Sequence, residues 1–164
     1  QISKGGVNMS NKPVTDLSVT YNIALITVDN IPNDIKLISS IFNTLADKDI
    51  NIDMINQSPP YRGIIDLSFT IPADRLVDAI SALNSFKTEI PDLSVEVDAD
   101  NTKLSVYGEE MKNLSGVAAK LFTLLAKLGI EIKLVTTSEV DISYLIYDKD
   151  VEKAVEAIKS EYKI

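Results

Sequence analysis

Whatever chemistry this chain performs, it performs without histidine or cysteine, for its 164 residues contain neither. That removes the imidazole base, the Ser-His-Asp relay, the thiol nucleophile, the disulfide and the usual zinc ligands. Carboxylates, amides, hydroxyls and backbone N–H groups remain, and they gather in two kinds of place. Residues 29–36 and 108–118 are loops that run into apolar helical stretches. A helix N-terminus presents unpaired N–H groups and a partial positive charge, which suit a carboxylate or a phosphate. In the second loop Ser115-Gly116 would let the backbone approach such an anion closely. The plainer alternative is an ordinary capped helix, with Asn113 or Ser115 as N-cap. The second kind of place follows each helix. Asn51 and Asp53 alternate with Ile50, Ile52 and Met54, and Gln57 and Ser58 come next; Glu131, Lys133, Thr137 and Ser138 hold the equivalent places later in the chain. These either line a small polar site or form the wet face of a half-buried strand. Glu109-Glu110 have no cation locked to them by spacing and read as solvated loop charges. No catalytic residue and no metal site follow from any of these groups.

The elements that position them are read from periodicity. Residues 14–19 (VTDLSV) and 23–28 (IALITV) read as strands, the second apolar at nearly every position and so covered on both faces. Leu37, Ile38, Ile41, Phe42 and Leu45 form one helical face. Residues 50–55 alternate as a strand, 57–63 form a turn with two prolines, and 64–71 form a strand with Ile65, Leu67, Phe69 and Ile71 on one face. Pro72 opens a helix whose expected apolar face is Leu76, Val77, Ile80 and Leu83, and 93–97 is a strand. The order is βαββαβ, the split-βαβ plan. A second round follows: strand 103–107, loop 108–116, helix 117–128 with Leu121, Phe122, Leu124 and Leu125 inward, strands 130–135 and 141–147, and a helix carrying Val151, Ala154, Val155 and Ile158. Phe42 and Phe122 are expected in the core, and Tyr144 and Tyr147 on opposite strand faces.

The two rounds are a repeat. At an offset of 80, Phe42, Leu45, Ala46, Ile50, Ile52 and Ser58 fall on the identical residues Phe122, Leu125, Ala126, Ile130, Ile132 and Ser138. The offset then becomes 75, and Asp66 and Ser68 fall on Asp141 and Ser143. The second round ends at Ile164 with no residues left for a fourth strand, which would leave an unpaired edge. Residues 14–19 are the unassigned strand that can fill it. The expected organisation is α+β: two ferredoxin-like units, the first (20–99) inserted into the second (13–19 plus 100–164), behind a polar, aperiodic linker or tag at 1–12. Gln1 in place of Met suggests a piece of something longer.

Composition bounds the partners. Sixteen Lys+Arg against twenty-four Asp+Glu leave a net charge of −8. Only Arg62 and Arg75 are arginines, so the footprint of a nucleic-acid binder is missing. Six glycines supply neither GxxxxGK[ST] nor GxGxxG. No apolar run approaches the length of a membrane span. A binding or regulatory module is expected rather than a catalyst.

The segment LSVYGEEMKNLSGVAAKLFTLLAKLGIEIKLVTTSEVDISYLI resembles the second regulatory ACT domain of aspartokinases, through Gly116-Val117-Ala118-Ala119 and the run from Thr137 to Ser143. INIDMINQ (50–57) and DLSFTIP (66–72) are similar to that family's first ACT domain, and KPVTDLSV (12–19) resembles the segment leaving its kinase domain. The resemblance implies a regulatory, cytoplasmic, catalytically silent stretch that binds an end-product amino acid, lysine favoured and threonine possible. It implies a homodimer or higher oligomer assembled through ACT domains, and the kinase domain of the same full-length chain as partner. ATP and Mg²⁺ would belong to that kinase domain, with no cofactor here. Carried over position by position, the first unit's effector contacts would be Asn33, Ile35, Asn51, Ile52, Asp53, Gln57 and Ser58. The second unit's would be Met111, Ser115, Gly116, Val117, Glu131, Ile132, Thr137, Ser138 and Glu139. Helix-start N–H groups would take the ligand carboxylate, and Asp53 the ε-ammonium of lysine. Asn33-Asp34-Ile35-Lys36 stands where the family often has Asp-Lys-Pro-Gly, Leu114-Ser115 where His-Pro is common, and Glu131 where Asn is usual. Two other readings compete. One is an assembly module without a working ligand site. The other is an acylphosphatase-like hydrolase, which wants an Arg in a phosphate-cradling loop that neither Arg62 nor Arg75 provides.

Overall fold

The computed structural model describes residues 12–164, so the linker expected over 1–12 lies, apart from Lys12, outside the described residues. The chain divides into two compact units, one of residues 21–101, the other of the chain up to Thr20 together with Thr102–Ile164.

The first unit comprises residues 21–32 of β1 (Asp16–Pro32), α1 (Ile35–Asp47), β2 (Ile55–Gln57), β3 (Ile64–Pro72), α2 (Leu76–Asn84) and residues 94–101 of β4 (Ser94–Tyr107). Its strands stand in the order β2-β3-β1-β4. β3 pairs antiparallel with β1, setting Leu25 opposite Thr70, and with β2, setting Asn56 opposite Ser68. The β1 register shifts between Val28 and Ile31, where Asn30 adopts a φ of 66°. A bulge of this kind bends the strand, here just ahead of α1. The core joins Ile26, Val28, Ile41, Leu45, Leu67, Phe69 and Leu83, all essentially inaccessible to solvent.

The second unit comprises residues 102–107 of β4, α3 (Val117–Lys127), β5 (Leu134–Thr137), β6 (Asp141–Tyr147), α4 (Val151–Tyr162) and residues 16–20 of β1. Its order, β5-β6-β4-β1, is that of the first unit, with β1 as the fourth strand. The Thr15 amide donates to the Tyr107 carbonyl at 2.8 Å, and Val14 is fully buried in the core with Leu104, Leu121, Leu125 and Ile158. The nesting expected from the strand count is present.

The repeat survives in three dimensions. Phe42 meets Phe69 edge-on at 5.8 Å, and the equivalent Phe122 meets Tyr144 edge-on at 5.5 Å. Ser58 donates its amide to the Asp66 carbonyl at 2.9 Å, as Ser138 does to Asp141 at 2.9 Å. The first pair is eight positions apart and the second three, so the five extra residues lie inside the turn they bracket.

Several expectations need correction. Segments 14–19 and 23–28 merge into one strand that begins only at Asp16, and 93–97 and 103–107 into one that begins at Ser94. Asn22 (φ 58°) and Asp100 (φ 61°) mark the expected gaps, and the strand assignment runs through both. The strands expected at 50–55 and 130–135 begin only at Ile55 and Leu134. Ile50 and Ile130 are buried because their amides fold back onto Leu45 and Leu125, which supplies hydrophobic alternation without a ladder. Val77 is 81% exposed; Ala79, Ala82 and Leu83 are the buried residues of α2. Phe122 is 40% exposed, although its ring meets Tyr144 edge-on. No described helix is long and apolar enough to cross a membrane.

Removing residues 1–19 takes away Val14 and the partly buried Leu17 and Val19. Each fully buried side chain is worth about 1.5–3 kcal/mol. The second unit should therefore melt at least roughly 6 °C lower, while removal of residues 1–11 leaves every described contact in place and should not shift the transition. Calorimetric scans of the two truncations check this, and equal melting would show that the paired segment adds nothing.

Candidate functional site

The two α-helices that open each unit start differently. At α1, Asp34 is the N-cap: its carboxylate accepts from the Lys36 amide at 3.0 Å, and the neighbouring Asn33 amide donates to Gly63 at 2.9 Å. The helix N-terminus thus already holds a negative charge of its own. At α3 neither expected residue caps. Asn113 turns its amide to the Glu110 carboxylate at 3.2 Å, and Gly116 occupies the N-cap with a φ of 83° and no side-chain bond. The first helical bond runs from Lys120 to the Gly116 carbonyl at 3.0 Å. Helix geometry leaves the N–H groups of Val117, Ala118 and Ala119 without an intrahelical partner.

Val117 and Ala118, the first two of these, line a cavity of about 270 Å³, close to the lower end of drug-sized pockets and so of small-metabolite scale. Of the residues carried over for the second unit, Met111, Gly116, Val117, Thr137, Ser138 and Glu139 line it. Ser115, Glu131 and Ile132 do not. Leu114, Ala118 and Ile142 also line the cavity and were missed. Ile142 was legible as the first inward residue of β6, and Ala118 as the second residue of α3, whereas Leu114 gives no signal in sequence. Ser138 Oγ accepts from the amides of Val140 and Asp141, both at 3.2 Å. Its acceptor capacity is used by the turn, so its O–H is what it can offer a ligand. Glu139 supplies a carboxylate at the rim, and Met111, Val117 and Ile142 are buried and apolar. The arrangement can hold a small molecule with a carboxylate at one end, an ammonium near it and a compact side chain.

Glu109 and Glu110 are not simply solvated. Tyr107 donates its hydroxyl to Glu109 at 3.0 Å, and that bond raises the phenol pKa. Glu110 accepts from Asn113. Both bonds brace the 3-10 turn Glu109–Asn113 that carries Met111.

The first unit's set is spread out. Asn33 and the 76%-exposed Ile35 sit at the start of α1, and Gln57 and Ser58 lie at the end of β2 nearest to it. Ser58 Oγ accepts from the Asp66 amide at 2.8 Å. Asn51, Ile52 and Asp53 lie farther back: the Asp53 amide bonds Thr70, whereas the Ser58 amide bonds Asp66. Those partners are four residue steps apart along β3, about 13 Å at the usual rise. Asp53 is therefore not brought to the helix start of its own unit. Lys133, its counterpart, is equally remote from Ser138, and its ammonium lies 3.3 Å from the Tyr147 ring centroid. The cavity described in the first unit, about 470 Å³ around Asn30, Ile64 and Asp92, contains none of the carried-over residues.

Gly116→Ala should cost about 1–2 kcal/mol, the penalty of a side chain at positive φ, although its Cβ would touch nothing within 4 Å. Urea unfolding measures this, and Gly116→Asn should fall between the two.

Comparison with known proteins places these features. The ACT domain family model matches residues 29–85 and 104–162. An aspartokinase of Bacillus sp. (strain MGA3) is 34% identical over 154 residues; the match covers 94% of this chain, which spans 38% of that relative's length. The ligand-free regulatory subunit of aspartate kinase from Thermus thermophilus is 30% identical with a TM-score of 0.82, over 91% of this chain and 98% of that one. Aspartokinase III of E. coli, solved in complex with lysine and aspartate, shares the fold at 19% identity and a TM-score of 0.71, over 94% of this chain and 34% of that one.

Proposed function

This chain belongs to the ACT domain family, and from that premise we propose that it is the amino-acid-responsive regulatory part of an aspartokinase, serving feedback control by an end product. The observation that carries the reading is the uncapped start of α3 opening onto a cavity rimmed by Thr137, Ser138 and Glu139. An α-amino acid would set its carboxylate against the N–H groups of Val117 and Ala118. Its ammonium would lie towards Glu139 and the strand carbonyls, and its side chain against Met111, Val117 and Ile142. Partial charges of opposite sign at the two ends would fix the orientation, and the buried apolar wall would limit side-chain bulk. ATP and Mg²⁺ would serve the kinase domain and not this stretch.

Lysine is the effector we favour, with Asp53 as the selecting carboxylate. A terminal ammonium leaving water needs a carboxylate or several carbonyls. Asp53 lies just ahead of β2, the edge strand of its unit, and bonds β3 about 13 Å along from the partner of Ser58. A site that uses it is completed by a second copy of the chain. Among the described residues β2 and β5 are the outer strands of their units, and Ile55 on β2 is 49% exposed. Lys133 at the equivalent place of the second unit would repel an ammonium, so the selecting carboxylate would come to the α3 cavity from Asp53 of the second copy.

The alternative, an assembly module with no working site, draws on Asp34, whose own carboxylate fills the start of α1. Calorimetric titration of the chain with L-lysine, L-threonine and L-methionine separates the two: saturable binding excludes the alternative, and its absence for all three overturns the effector reading. Asp53→Asn should weaken lysine binding at least about tenfold; an affinity within about twofold of the original would remove Asp53 from the site. Sedimentation at micromolar concentration should show a dimer or larger species, and a strict monomer with and without amino acids would refute the shared site.

A further inference from the structure

The chain just ahead of β1 lies against the loop that walls the cavity. Thr15 donates to the Tyr107 carbonyl at 2.8 Å. The next residue, Gly108, has no room for a side chain: a Cβ there would overlap the Pro13 carbonyl oxygen. Its φ of −165° is ordinary extended backbone, so the close approach of Pro13, and not conformation, is what requires glycine here. Gly108 then ties both lips of the cavity. Its amide donates to the Val140 carbonyl at 2.9 Å, one residue beyond Glu139, and its carbonyl accepts from the Met111 amide at 3.1 Å. Val14 is buried in the same core cluster as Met111 and Val117.

We infer that docking of the incoming chain at Pro13–Thr15 and occupancy of the α3 cavity are coupled, with Gly108 as the positioning residue between them. The inference rests on the reading of that cavity as an amino-acid site. A ligand that holds Met111 and Glu139 in place holds Gly108, and a held Gly108 fixes the surface on which Pro13 rests. Coupling is reciprocal: what the ligand adds to docking, docking adds to affinity by the same factor. A change at the cavity is thereby delivered to the residues through which the preceding chain joins this unit.

The test follows amide exchange by NMR on the 164-residue chain, alone and saturated with L-lysine or L-threonine, with calorimetry on the same samples. Local opening at Thr15 escapes general stabilisation of the unit, so slowing there beyond that of the α4 core amide of Ile158 reports coupling. The amino acid that binds should slow Thr15 by about fivefold or more, and Gly108→Ala should speed Thr15 exchange and weaken that amino acid by a similar factor. Removal of residues 1–13, which keeps Val14 and the Thr15 bond, serves if Gly108→Ala does not fold, and should weaken binding likewise. Binding with unchanged Thr15 exchange, or an affinity of the shortened chain within about twofold of the original, overturns the coupling. Absence of binding heat from both amino acids overturns the effector reading itself, and the coupling with it.

Discussion

The interaction on which the second unit depends joins residues far apart in sequence: the segment from Pro13 to Thr20 laid against Tyr107 and Gly108. Without it β4 would expose a ladder edge and the core would lose Val14. A four-stranded sheet covered by two helices is a small assembly, and losing an edge strand takes hydrogen bonds and apolar cover together. The chain meets this demand early, then makes the whole first unit, residues 21–101, before returning at Thr102. Nesting is thus the direct consequence of a unit whose fourth strand comes first.

Duplication explains what the units share, and divergence at one helix turn explains how they differ. The edge-to-face aromatic pairs, the Ser–Asp brackets and the strand order are common to both. The helix starts are not. Asp34 neutralises the start of α1 with a charged cap, worth roughly 1 kcal/mol to that helix, while α3 carries Gly116 with no side-chain cap. A self-capped helix is satisfied without a ligand; an uncapped one gains most from an added carboxylate. The same stabilising term is therefore spent internally in one copy and left open in the other.

Much of this was legible in the sequence because identity between copies reports shared three-dimensional roles. The offsets of 80 and 75 located the five extra residues in the turn between Ser58 and Asp66, and the missing fourth strand assigned residues 14–19. What escaped was set by context. Val77 sits one position from Leu76, and only the Ala79–Leu83 side of the turn faces the sheet, so alanines displaced a larger side chain from the core. Ile50 and Ile130 owe their burial to backbone bonds with the preceding helix, which periodicity cannot distinguish from a strand. Asn113 has the right type and place for a cap, but Glu110 three residues earlier claims its amide. Of the second unit's carried-over residues, Met111, Gly116, Val117, Thr137, Ser138 and Glu139 converge, while Glu131 and Ile132 are separated from them by the length of the strand.

That separation bears on how such a unit can select a ligand. Groups at the helix start and at the end of β5 meet within one unit and can recognise what all α-amino acids share: a carboxylate and an ammonium. The equivalent positions of opposite charge, Asp53 and Lys133, bond four residue steps, about 13 Å, farther along the neighbouring strand than Ser58 and Ser138 do, away from their own unit's helix start. A single unit can therefore supply affinity for the class, whereas charge discrimination at those positions requires a neighbouring copy to bring one end of its edge strand to the other end of this one. An edge strand of the neighbouring copy running antiparallel to this one does this, since antiparallel pairing sets the start of each strand beside the end of its partner. Specificity would then exist only in the assembled state, which makes assembly a condition of selective control and not merely a scaffold for it.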